Sequence, residues 1–308
     1  MVMIICASRR TDIPAFHSEW LLNRLRAGYA MVRNPVENSV VYRVDLRRES
    51  VDALVFITKD PRPMEPKLRE IGSMGHMYLF QVTLTPYGKD IEPGVPFKAD
   101  INDSCIRISD RIGRDRMAWR YDPVIFNDRM GAEYHARKFS MMCSEASQWT
   151  DRCIFSFVDM YGKLSRFRED GTVRSVTASE RARFAEMALD AVRENGMVLT
   201  SCCTDVPGVE RRGCLDRIIM RSLGIPYDTR TTPLREGCLC VRNIDIGEYG
   251  TCGHGCIYCY ADRPSERARF SRLYDPEAEM LWGRVAEGDT VVELSDSGRS
   301  MLDLEYHS

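Results

Sequence analysis

The chain has 308 residues, 44% of them hydrophobic, which is ordinary for a protein that buries a real core and excludes a fibrous or disordered polymer. Its 43 Lys and Arg against 45 Asp and Glu leave a formal charge of -2, so no long-range attraction to polyanions or anionic membranes is expected and a nucleic-acid partner is disfavoured. No apolar run approaches the roughly 20 residues that span a bilayer, and the start, Met-Val-Met-Ile-Ile-Cys followed by Arg9 and Arg10, is too short for the apolar region of a signal peptide. The expected location is the cytoplasm, with no membrane partner.

In chain order, short apolar runs that end in polar residues alternate with helical stretches. Strands are expected from Met3 to Ala7, Tyr29 to Val32, Ala53 to Ile57, Met77 to Leu84, Met117 to Trp119, Cys153 to Phe157, Met197 to Leu199 and Val241 to Ile246. Several exit at Asn34-Pro35, Asp60-Pro61, Thr85-Pro86 and Asp122-Pro123, where the proline ring removes a backbone donor and holds the preceding residue extended. The clearest helix runs from Ala178 to Arg193, because Phe184, Met187, Ala188, Ala191 and Val192 share one face and Thr177 with Glu180 forms a capping box. Further helices are expected from His17 to Arg26, Lys67 to Met74, Ile106 to Ile112, Ala132 to Gln148, Leu215 to Leu223 and Glu266 to Leu273.

This alternation predicts an α/β fold with a parallel sheet, and its eight units suit a (β/α) barrel of TIM type. Residues 1–262 would form the barrel, including a cysteine-rich region at 202–259, and residues 263–308 a C-terminal helical tail packed on it. In a barrel the site is built by loops at the carboxyl ends of the strands. Those loops hold Ser8, Arg9, Arg10, Thr11 and Asp12, then Arg33 and Asn34, Lys59 and Asp60, Arg120 and Asp122, Asp159, and Cys202 to Asp205. The group of Arg9, Arg10 and Asp12 is denser in charge than a strand exit requires.

Twelve cysteines are the informative part of the composition, and eight of them fall between Cys202 and Cys259. In a cytosolic chain of this size, such clustering points to metal or redox chemistry rather than disulfides. The sharpest group is Cys252-Gly-His-Gly-Cys256-Ile-Tyr-Cys259, a C-x3-C-x2-C spacing in a glycine-rich loop after the last expected strand. Three thiolates on one short loop can hold three irons of a four-iron cluster and leave the fourth open. Structural zinc wants four closed ligands, and His254 sits too close to its neighbours to be a comfortable fourth.

The spacing, with Tyr258 immediately before the last cysteine, resembles the C-x3-C-x-aromatic-C signature of the radical S-adenosylmethionine (SAM) enzymes. Along its whole length, including the stretches 7–14, 119–123 and 245–249, the chain also resembles an uncharacterised microbial family described only as a domain of unknown function. That second resemblance brings no activity. The first implies that Cys252, Cys256 and Cys259 hold a 4Fe-4S cluster whose open iron binds SAM, with Tyr258 beside the adenine. It implies an enzyme that cleaves SAM reductively to a 5′-deoxyadenosyl radical, using a reductant such as flavodoxin or ferredoxin and an unknown small-molecule or peptide substrate.

Two features depart from the superfamily pattern. Its cluster loop normally follows the first strand, whereas this one follows the last, and the chain has no Gly-Gly pair to supply the usual Gly-Gly-Glu contact to the SAM amino group. A barrel circularly permuted relative to radical SAM barrels would explain both, with Ser8, Arg9, Arg10 and Asp12 taking over contacts to SAM. Of the other thiols, Cys203, Cys214, Cys238 and Cys240 would complete a closed site, with Cys202 turned to the core on the other side of an extended strand. A second 4Fe-4S cluster is favoured there, and zinc fits the same four ligands. Cys6, Cys105, Cys143 and Cys153 read as core.

Two other functions remain open at the level of sequence. One is a barrel protein whose cysteines hold structural zinc or an electron-transfer iron–sulfur site without radical chemistry. The other is a nucleic-acid lesion lyase of radical SAM type, which needs a basic groove that the balanced charge does not advertise. The catalytic residues and the reaction are not legible.

Overall fold

The computed structural model describes residues 2–158, 171–229 and 236–294, together with Phe167 and Glu169. In chain order its strands are β1 (Ile4–Ala7), β2 (Tyr29–Arg33), β3 (Val40–Asp45), β4 (Ala53–Thr58), β5 (Tyr78–Thr83), β6 (Met117–Val124), β7 (Arg152–Phe157), β8 (Val198–Ser201), β9 (Glu210–Arg211), β10 (Ile244–Asp245) and β11 (Thr290–Leu294). Eight of them form one sheet in the order β10-β1-β4-β5-β6-β7-β8-β9, every pair parallel. A second sheet has the order β11-β3-β2.

The expected TIM-type barrel is corrected by this topology. The main sheet is a run of strands with two ends, and no ladder joins β9 to β10 among the described residues. The two end strands are two residues each, so the expected strand from Val241 to Ile246 pairs only at Ile244 and Asp245. The run from Tyr29 to Val32 also leaves the βα alternation, because it turns directly into β3 as an antiparallel hairpin in the second sheet. Apolar periodicity reports which segments are strands and says nothing of closure, which depends on pairing between segments far apart in sequence. The permuted barrel falls with the barrel, whereas the adjacency that motivated it is present: Ile5 pairs with Ile244 and Cys6 with Asp245.

Alternation along each strand sends side chains to two faces. On one face Ile5, Phe56, Phe80, Trp119, Tyr121, Phe155 and Leu199 join the main core, with helices α2 (Ser18–Ala27), α3 (Leu68–Ser73), α4 (Lys98–Ile112), α5 (Ala132–Ala146) and α6 (Ala178–Glu194) contributing residues such as Trp20, Ile71, Ile108, Phe139 and Phe184. A four-residue helix, α1 (Ile13–Phe16), precedes α2. On the other face Ile4, Cys6, Ala53, Val55 and Leu79 pack under Leu215, Met220, Cys238, Cys240 and Val241, so the cysteine-rich region covers the face that those helices leave. α7 (Arg217–Ser222) belongs to that cover. Beyond residue 262 the chain forms α8 (Pro264–Leu273) and then β11, which pairs with β3. No helix among the described residues is long and apolar enough to cross a membrane.

Two features of the main core are measurable. α6 begins with the expected capping box, in which the Thr177 hydroxyl accepts from the Glu180 N–H and the Glu180 carboxylate accepts from the Thr177 N–H. Its Phe184 is fully buried against Tyr121, Phe139, Phe155 and Phe157. Phe184→Ala is expected to cost about 3–5 kcal/mol in denaturant unfolding. His135 is also fully buried, with Nε2 at 2.7 Å from the Ile125 carbonyl and Nδ1 at 2.8 Å from the Tyr121 hydroxyl, and burial lowers its pKa from 6.5 to about 4. The unfolded chain binds this proton first as pH falls, so the stability it contributes is present above pH 6.5 and is lost between 6.5 and about 4. Denaturation at pH 7 and pH 4.5 should show a fall of up to about 3 kcal/mol from this residue, and His135→Gln should flatten that part of the pH dependence.

Candidate functional site

The pairing of β10 with β1 sets the loops that follow them side by side, and Asp245 ties the two together. Its carboxylate accepts from the Ser8 hydroxyl at 2.6 Å, the Arg9 N–H at 2.7 Å and the Gly247 N–H at 2.8 Å, while its carbonyl accepts from the Arg10 guanidinium at 2.7 Å. The Arg9 guanidinium also reaches Asn243. Burial alone would raise the Asp245 pKa, and Arg9 and Arg10 bring it below the ordinary value. Gly247 is required here, because a Cβ would fall 1.9 Å from the Ser8 hydroxyl. Asp12 faces the cysteine loop itself: its Oδ2 lies 2.8 Å from His254 Nε2 and accepts from the Lys59 N–H at 2.7 Å, while Oδ1 caps α1 at the Ala15 N–H. Of the four expected residues of the first loop, Asp12 meets the cysteine loop at His254, while Ser8, Arg9 and Arg10 are tied to Asp245 of β10.

The cysteine loop is seated against residues 91–94. The Gly94 N–H donates to the His254 carbonyl at 2.8 Å and the Ile257 N–H to the Ile91 carbonyl at 3.1 Å. A Cβ on Gly94 would lie 2.6 Å from the Gly253 carbonyl oxygen, so this approach of two backbones needs glycine. Below it, Glu92 has no solvent exposure and accepts from four donors: Tyr258 at 2.5 Å, Lys59 at 2.7 Å and Thr85 at 2.7 Å on one oxygen, and Lys98 at 2.6 Å on the other. Burial pushes its pKa up, but Lys59 and Lys98 overcome that and hold it at about 2. Nothing in the sequence around Glu92 marks it, since its partners lie up to 166 positions away.

The three thiols of the loop feel one another. Burial raises the Cys252 pKa well above the ordinary value, with smaller upward contributions from Cys259 and Cys256. Burial likewise lifts Cys256 to about 12 against the opposing charge of Lys59. Tyr258 is buried beside them, and its ring lies 5.7 Å from the Lys59 ammonium.

A second thiol group lies on the covered face of the sheet. Cys214 Sγ is 3.3 Å from Cys240 Sγ, and Cys240 also contacts Cys238. Cys202 corrects the sequence reading: its Sγ is 3.5 Å from Cys203 Sγ and it hydrogen-bonds Cys214, so it joins the other thiols rather than facing away. The reason is the backbone of Cys203, whose φ of 61° breaks the alternation of an extended strand. The bond to Cys202, countered by that to Cys240, and burial together raise Cys214 to about 12. Two glycines let the three thiol-bearing segments meet. A Cβ on Gly213 would stand 2.6 Å from the backbone of Leu239 and Cys240, and one on Gly237 would stand 2.9 Å from the Cys203 carbonyl oxygen.

Other expected residues are placed less centrally. Arg33 ends β2 in the small sheet and pairs with Asp289, Asn34 follows it, and Asp60 pairs with Arg62. Asp159 lies outside the described residues. Cys6, Cys105, Cys143 and Cys153 are buried, as expected. Among the described residues, no three His, Cys, Asp or Glu side chains are gathered as one metal ion requires.

The glycine contacts give a direct check on the second thiol group. Gly213→Ala is expected to lower stability by about 1–3 kcal/mol and to speed labelling of Cys214 and Cys240 by a water-soluble thiol reagent. Unchanged labelling would show that the segments do not depend on this approach.

Comparison with curated proteins and with solved structures found no match. A family model described as "Domain of unknown function (DUF1848)" matches residues 4–261. With nearly all of its length matched, the chain belongs to the DUF1848 family.

Proposed function

We propose that the chain is an iron–sulfur enzyme of radical SAM type acting on a small-molecule or peptide substrate. The observation that carries this reading is the loop of Cys252, Cys256 and Cys259, three thiols in C-x3-C-x2-C spacing on a glycine-shaped backbone pinned by Asp12 and Glu92. The C-x3-C-x2-C spacing supplies three thiols on one short loop, which suits a four-iron cluster with one iron left open, whereas structural zinc wants a fourth closed ligand. When bound, a 4Fe-4S cluster would supply the electron that cleaves SAM to a 5′-deoxyadenosyl radical.

The chain's own residues have definable tasks in this reading. Cys252, Cys256 and Cys259 hold the metal group as thiolates, and Lys59 offsets the negative charge that deprotonation leaves beside Cys256. Glu92 fixes the Tyr258 hydroxyl at 2.5 Å, which orients the ring for the adenine. Ser8, Arg9 and Arg10, held on Asp245, and Asp12, held on His254, would orient the amino and carboxylate groups of SAM. Burial of the loop keeps water from a reactive intermediate. Cys203, Cys214, Cys238 and Cys240, with Cys202 among them, are the ligands of a second cluster or of zinc, and a flavodoxin or ferredoxin is the fitting reductant.

Anaerobically purified protein should contain iron and acid-labile sulfide and should form 5′-deoxyadenosine from SAM and a strong reductant. Cys256→Ala should abolish that product while leaving the unfolding midpoint within a few degrees of wild type. Zinc without iron would overturn the reading, as would an iron-loaded protein that never cleaves SAM.

A further inference from the structure

We propose that Arg120, Asp122 and Ser156 form a ligand-binding group between the two thiol groups, and that it takes its ligand by an oxyanion, a carboxylate or a phosphate. Arg120 and Asp122 are alternate residues of β6, so they share one face, while Trp119 and Tyr121 enter the main core on the other. The Asp122 carboxylate accepts from the Arg120 guanidinium and from the Ser156 hydroxyl on β7. The register of β6 and β7 shifts between Tyr121 and Val124, and such irregularities re-aim side chains beside sites.

The charges of the group act on residues at both thiol groups. On one side, the Lys59 ammonium feels both Asp122 and Cys256 of the cysteine loop. On the other, Arg120 is felt at Cys214 and Cys6, at the second thiol group. Arg120 stands opposite Thr83 on β5, two residues beyond Gln81. Gln81 donates its Nε2 to the Cys214 carbonyl at 2.6 Å, and its Oε1 is buried with no hydrogen-bond partner. A polar atom in that condition points to a ligand or water at the site.

Access and charge decide the ligand class. Arg120 and Asp122 are each 15% exposed, unlike the sealed Glu92. Arg120 and Asp122 form a one-to-one ion pair, with the Ser156 hydroxyl on the same carboxylate. A guanidinium with a hydroxyl beside it binds an oxyanion through parallel charge-assisted hydrogen bonds, and the Asp122 carboxylate draws the Arg120 guanidinium and the Ser156 hydroxyl together. The inference rests on the proposed function only in naming the ligand a substrate, because the oxyanion site itself needs neither iron nor SAM.

The test uses the full-length chain and two probes, inorganic phosphate and acetate, each titrated at constant ionic strength against chloride while the thermal midpoint is followed. A saturable rise is expected in wild type with at least one probe, and which probe acts tells phosphate from carboxylate recognition. Arg120→Gln should abolish the rise, Arg120→Lys should weaken it, and Asp122→Asn should lower the half-saturating concentration about tenfold by removing the competing carboxylate. No rise with either probe, or equal rises in wild type and Arg120→Gln, would overturn the inference. Should Arg120→Gln not fold, unchanged or weaker binding by Asp122→Asn overturns it instead. Iron content and SAM cleavage, measured separately, show whether the proposed function stands or fails on its own.

Discussion

A carboxylate with no exposure must be compensated, since an unpaired buried charge costs about 3–5 kcal/mol. Glu92 is compensated from three directions: Lys59 from the loop after β4, Lys98 from the start of α4, and Tyr258 from the cysteine loop. Removing any of the three takes a donor from a buried carboxylate. The cysteine loop is therefore tied to the sheet through a charge that the fold cannot leave alone. Asp12 repeats the arrangement from the opposite side, with His254 and the Lys59 N–H as its partners. Lys59 takes part in both, by its ammonium and by its backbone, and joins the two anchors into one network.

The covered face of the sheet follows a different logic, in which close packing replaces charge. Five thiols sit where Gly213 and Gly237 allow three backbone segments to touch, and all are buried or half-buried. Raised pKa values keep Cys214 and Cys240 protonated at neutral pH, so they are poor nucleophiles as they stand. Metal binding would have to displace those protons, and this makes affinity steeply dependent on pH. β6 carries Arg120 and Asp122 towards its carboxyl end.

Much of the local structure was legible in the sequence. The periodicity of 178–193 and its Thr177 and Glu180 cap gave α6 nearly to the residue, and the apolar runs located most strands of the main sheet. The cysteine spacing and the charged loop at Ser8 to Asp12 identified two segments that do meet. What failed depended on distant pairing. Closure of the sheet is not encoded in alternation, and β3 was missed because its run of Val40, Val41, Tyr42, Arg43 and Val44 follows a polar turn with no helix between it and β2. Cys202 was turned the wrong way because a left-handed residue at Cys203 carries no mark in sequence. Glu92 and Gln81 carry no mark of the burial that the fold gives them, and Lys98 none of its pairing with Glu92.

The central claim, that the loop of Cys252, Cys256 and Cys259 holds a SAM-binding cluster, is tested most directly by electron paramagnetic resonance. The spectrum of anaerobically reduced protein is recorded before and after adding SAM. The account predicts the signal of a reduced four-iron cluster, a change in its shape when SAM is added, and loss of that SAM-sensitive signal in Cys256→Ala. A protein with no such signal, or one whose signal is indifferent to SAM, would contradict it.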